Sequence, residues 1–145
     1  MTALSEHFTV AEFEDSYEAI RRDIDNKMPI IIRNDAMELC ENVLEPLREK
    51  LGKPIRITSG YRCYELNKAI GGSATSQHCR GQAVDIKVKG IDPTDVAKAI
   101  IELGVYDQVI DEGNWTHVSY KANCRHVKLT AHFENGGVHY TEGIA

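Results

Sequence analysis

The sequence predicts an α+β domain, with helices first and an antiparallel-leaning sheet later. Apolar residues between 35 and 51 recur at steps of three and four, the period of a helix, whereas several later runs alternate apolar with polar residues, the period of a half-buried strand. No internal repeat, low-complexity tract or break in composition divides the chain, so residues 1–145 read as one domain. A chain of this length buries roughly 70% of the surface its unfolded form exposes, and needs neither metal nor disulfide merely to fold.

Residues 8–25 carry Val10, Phe13, Ile20 and Ile24 among many charges, which predicts a short helical region held by those anchors. Met28 to Ile32, with Pro29, is an apolar connector. The strongest helix is predicted over 35–51. Asp35 and Glu38 have capping-box spacing, Met37, Cys40, Val43, Leu44, Leu47 and Leu51 form a core-facing stripe, and Gly52 and Pro54 stop it. Pro46 inside it predicts a bend. Ile55 and Ile57 alternate with Arg56 and Thr58 as a short strand, and a helix over 64–70 ends at Gly71-Gly72. After a strand beyond Arg80, Asp92-Pro93 opens a helix with Val96, Ala97, Ile100 and Ile101 apolar and Gly104 at its end. Residues 105–110, 115–120 and 125–133 alternate as strands, the last two paired as a hairpin over 121–124, and 134–137 is a turn.

A net charge of -5, with Lys and Arg dispersed among acids, argues against nucleic acid as a partner. No apolar run approaches the length of a transmembrane helix, so no membrane anchor is expected. The first residues lack the basic region and apolar core of a secretory signal, which predicts a protein that is cytoplasmic as synthesised. Cysteines 40, 63, 79 and 124 form no Cys-x-x-Cys pair and are expected to stay free thiols, in a monomer.

Chemistry concentrates at 76–85, Ser-Gln-His-Cys-Arg-Gly-Gln-Ala-Val-Asp. An imidazole, His78, and a carboxylate, Asp85, stand at either end of a glycine-broken segment. Val84, Ile86 and Val88 face one side of the strand and Asp85 the other, while Gly81 lets His78 fold back towards the strand's start. A third ligand is expected from His117, which alternation places with Trp115 and Ser119 on one strand face. A lone strand histidine is more often packed or on the surface. Two imidazoles and a carboxylate together, with a fourth position open, suit a catalytic zinc, which acidifies water and polarises a carbonyl. Cys79 is a rival ligand, but a side chain next to a ligand usually points elsewhere. His7, His126, His132 and His139 read as structural or surface residues. Of these, His126 and His132, on the polar face of the last strand, are expected nearest the pocket.

Ser59-Gly60-Tyr61-Arg62, Leu66-Asn67, Gly71-Gly72-Ser73, Ser76-x-His78-x-x-Gly81-x-Ala83-x-Asp85 and Trp115-x-His117-Val118-Ser119 follow one another along the chain. In that order they resemble the zinc D-alanyl-D-alanine carboxypeptidase family, whose relatives include VanX-type dipeptidases and several phage endolysins. The similarity starts near His7-Phe8-Thr9 and Glu12-Phe13. The resemblance implies a hedgehog/DD-peptidase-like fold with zinc on one face of the sheet. It also implies a zinc-dependent peptidase acting on peptidoglycan stem peptides, either a D,D-carboxypeptidase or an endopeptidase released to the cell wall at lysis. Arg62 would then hold a substrate carboxylate or stabilise the developing oxyanion. Ser76 and Gln77 would contact substrate or orient His78, and Trp115 would contact substrate.

Such a site needs a base. Some family members carry an acid three positions before the second histidine, but here that position is Asn114, which accepts no proton. Asp111 and Glu112 follow the run Asp107-Gln108-Val109-Ile110 and either can serve, with Glu112 preferred. A zinc-binding module without catalysis is the rival reading, since fold alone never guarantees activity.

Overall fold

The structure, a computed structural model, describes residues 2–144. Met1 and Ala145, the ends of the expected domain, lie outside the described residues. Thr9 opens the first helix, α1 (Val10–Glu14), with a reciprocal cap: its hydroxyl accepts from the Glu12 N–H and its own N–H donates to the Glu12 carboxylate. That helix buries Val10 and Phe13. Ser16 caps a second short helix, α2 (Tyr17–Arg21). Ile20, expected as an anchor, is 76% exposed, and Ala19 is the buried residue of that turn.

Helix α3 (Ile30–Leu39) starts at Pro29, earlier than the capping-box spacing at Asp35 suggests. Proline has no N–H to leave unbonded and fixes φ, here -59°, so it starts a helix without a side-chain cap. Ile30 and Ile31 consequently sit exposed on the first turn, and Met37 lies off the core stripe. A π-helical turn, Cys40–Leu44, joins α3 to α4 (Glu45–Leu51), and the Glu45 N–H reaches back to the Cys40 carbonyl. The wider turn falls just before Pro46, where the ring would otherwise press on the carbonyl of the preceding turn. Ala36, Leu39, Cys40, Val43, Leu44 and Leu47 are fully buried along this rod.

The sheet is mixed and six-stranded, in the order β1 (Arg56–Ser59), β2 (Ala83–Lys87), β4 (Thr116–Ser119), β3 (Gln108–Asp111), β5 (Val127–Glu134), β6 (Gly137–Glu142). Every neighbouring pair is antiparallel except β3 with β5, which run parallel. Helix α6 (Pro93–Leu103) packs on α4 and on β3, with Val96, Ala97 and Ile100 buried; the short helix α5 (Tyr64–Ala69) follows β1. One face of the sheet, through Val84, Ile86, Val109 and Val118, closes the core against the helices. The opposite face carries the polar alternates.

The expected hairpin between the last two strands does not form, because β3 lies between β4 and β5. Buried Asp107 accounts for this connection. Its carboxylate accepts from the Arg125 N–H at 2.9 Å and from the Arg125 guanidinium at 2.8 Å, which places the chain beside β3 before β5 begins. His126 then takes a positive φ of 57°, so the strand starts at Val127 instead of at 125. Strand β6 was not anticipated beyond its turn. Every residue in it is exposed, so it carries no buried apolar alternation to betray it.

Candidate metal centre

The loop after β1 is tied down by backbone and amide contacts. The Tyr61 N–H donates to the Phe13 carbonyl at 2.7 Å, and Asn26 bridges the Tyr61 carbonyl and the Cys63 N–H. Gly60 is required by this close approach, since a Cβ there would stand 2.8 Å from the Cα of Phe13. Its carbonyl is thereby aimed at His78. The ring nitrogen Nδ1 of His78 lies 2.7 Å from that oxygen; a carbonyl only accepts, so Nδ1 carries the proton and Nε2 keeps its lone pair.

His78 itself sits in a 3₁₀ turn, Gln77–Arg80, in which the Ser76 hydroxyl accepts from the His78 N–H. Gly81 ends the turn at φ 70°, where a Cβ would also collide with Ile32. The chain then enters β2, where Asp85 stands directly across the ladder from His117 of β4. Asp85 Oδ1 is 3.0 Å from His117 Nδ1 and 3.5 Å from His78 Nε2. The three ligand atoms lie within 4.8 Å of one another, and Cys79 is not among them.

The electrostatics suit a divalent cation. Burial holds the His78 imidazole below its usual pKa against the pull of Asp85, so it stays neutral and able to ligate. Burial would raise Asp85, but the hydrogen bond from His117 and the adjacent His78 ring outweigh it and hold the carboxyl well below the usual range. Two imidazoles and a carboxylate, one imidazole oriented by a backbone carbonyl, form the donor set of a zinc with an open position.

Residues 6–119, most of the chain, match the family model described as Peptidase M15. The chain belongs to the peptidase M15 family. Its members are zinc-dependent, and membership points to metallopeptidase activity at the His78, Asp85 and His117 group. No curated protein matches the chain.

The M15 centre opens into a cleft of about 590 Å³ lined by Arg62, Ser76, Gln77, Trp115 and Glu112 along with the three ligands. Asp111 is not among its walls. It is buried, and its carboxylate accepts from the Thr94 hydroxyl at 2.5 Å and from the Gly113 N–H at 3.0 Å. Alternation separates the adjacent acids: Ile110 and Glu112 face the cleft, while Val109 and Asp111 face α6. Burial raises the Glu112 carboxyl above its ordinary value, opposed by His117 and reinforced by Asp85.

Arg62 donates from Nη1 to Asn67 at 3.2 Å, but its buried Nε has no partner. Burial lowers its pKa against the attraction of Asp85. Gln77 donates to Gln82 across the turn.

His126 and His132 do not approach the cleft. His126 reaches the Gly104 carbonyl and packs edge-on to Tyr106, and His132 stacks on His139 across the exposed β5–β6 hairpin. Tyr140, Arg125, Lys121, Arg80 and Gln108 do line it and were not singled out from sequence. Gln108 was within reach of the alternation that contains Ile110. Tyr140 was not, since its strand leaves no buried pattern.

Proposed function

We propose that the protein is a zinc-dependent peptidase that hydrolyses amide bonds in peptidoglycan stem peptides, built as one domain of hedgehog/DD-peptidase-like fold and acting as a monomer. One observation supports it above the rest: an M15 chain brings His78, Asp85 and His117 together in the same cleft as an acid, Glu112, and a cation, Arg62. Zinc held by the three ligands supplies Lewis acidity to the substrate carbonyl and to water.

The chain's own residues supply the rest. Glu112 takes the proton of the attacking water and returns it to the departing amine, a role favoured by a carboxyl whose pKa is lifted towards neutrality. Arg62, with an unpartnered buried Nε, holds the substrate's carboxylate or carbonyl oxygen. Trp115 packs against the substrate, and Ser76 and Gln77 keep the His78 turn in place. Asp111 is left to hold the loop.

Digestion of purified peptidoglycan by the zinc-loaded protein, with mass analysis of the products, tests this. Release of D-alanine, blocked by terminal amidation, marks a carboxypeptidase, and cleavage unaffected by amidation marks an endopeptidase. Stoichiometric zinc with no bond cut makes the protein a metal-binding module.

A further inference from the structure

The strand register gives the cleft two ends. At the metal level Asp85 pairs with His117 and His117 with Ile110. Towards the carboxyl end of β3 the walls are Glu112, Trp115 and Tyr140. In the other direction Ser119 pairs with both Ala83 and Gln108, and the Tyr120 N–H still donates to the Gln82 carbonyl. Beyond that last rung the walls are Arg80, Lys121 and Arg125.

This concentration of positive charge stands out in a chain of net charge -5. Arg125 is balanced by Asp107 behind it. Neither Arg80 nor Lys121 forms an ion pair among the described residues. Cations gathered at one end of a cleft raise the local concentration of anions there. Arg80 lies within the family match, and Lys121 and Arg125 follow residue 119, where it stops.

We propose that the Arg80 and Lys121 end is a carboxylate-binding subsite separate from Arg62, and that the substrate carries an anionic group there. This rests on the peptidase reading above. At roughly 3.3 Å per extended residue, Lys121, two residues past the end of β4, stands at most about 13 Å from His117, and its long side chain shortens that reach. The carboxylate it meets is therefore about two to three residues from the scissile bond of an extended peptide. The cleft so recognises an acidic peptide in one direction, with its aromatic walls at the opposite end.

The test is a stem peptide whose carboxylates are converted to amides one at a time, measured with zinc-loaded wild type and an Arg80→Gln, Lys121→Gln double variant. One amidation should raise the wild-type KM by about tenfold to a hundredfold, the worth of a charge-assisted contact. In the double variant, which keeps its zinc, the acid and amide forms should give the same KM, and added salt should erode the wild-type preference. Equal KM for every amide in wild type, or a preference at that same carboxylate that survives in the double variant, overturns the subsite. Calorimetric binding separates this from failure of the peptidase reading. Tighter binding of the acid form, lost in the double variant but with no bond cut in either, upholds the subsite and removes the hydrolysis.

Discussion

The central strands β2, β4 and β3 and the outer hairpin β5–β6 belong to one sheet but are built on different principles. In the centre, Val84, Ile86, Val109 and Val118 are sealed against the helices, and the metal-facing alternates inherit that rigidity. In the hairpin, β6 is exposed along its whole length, and Phe133 and Val138 face each other across the ladder in solvent. The ligands therefore sit where packing holds positions to fractions of an ångström, and the hairpin offers Tyr140 to the cleft from a solvent-exposed edge of the sheet. Precision is placed at the metal and adaptability at the wall.

The sharpest way to break this contrast is to remove a ligand. Asp85→Ala should drop zinc from about one per chain to almost none and abolish activity, with far-UV circular dichroism unchanged because the core folds without metal. Tyr140→Phe should keep the zinc and shift turnover only a few-fold. Equal metal loss in the two variants would erase the distinction between platform and wall. Next in size, Glu112→Gln should cut kcat by ~100-fold to ~10,000-fold at full zinc occupancy.

Stability gives a smaller but cleaner separation. Ile86→Ala, in the sealed centre, should cost about 2–5 kcal/mol in urea unfolding, whereas Val138→Ala on the hairpin should stay within about 0.5 kcal/mol. Asp111→Asn should sit between them at about 1 kcal/mol, since it weakens the acceptor used by Thr94 and Gly113. Its zinc and turnover should change far less than those of Glu112→Gln. A collapse of turnover with intact stability would instead put Asp111 in the reaction.

Two failures of sequence reading in the helices share one cause. Proline at position 29 starts a helix that the Asp35 spacing placed later, and the turn before Pro46 widens, because backbone geometry at proline outweighs side-chain capping signals. Ile20 was assigned to the core as an apolar anchor and Met37 by its place in the three-and-four stripe. Their exposure depends on what packs opposite them.

Local alternation, by itself, was enough to put Asp85 and His117 on the polar face of their strands, and the glycine-broken turn was enough to bring His78 back towards them. Those are short-range facts of backbone geometry, written within a few residues of each ligand. The neighbour of each strand was not written there. Only the tertiary structure inserted β3 between β4 and β5, because a ladder satisfies any backbone and the choice was made by Asp107, beside the start of β3, capturing Arg125 from the connection that follows β4. The same holds for the acids, where one step of alternation in β3 sends Glu112 to the cleft and Asp111 to Thr94. It holds too for Tyr140, which reaches the site from a strand whose pairing no buried pattern announces.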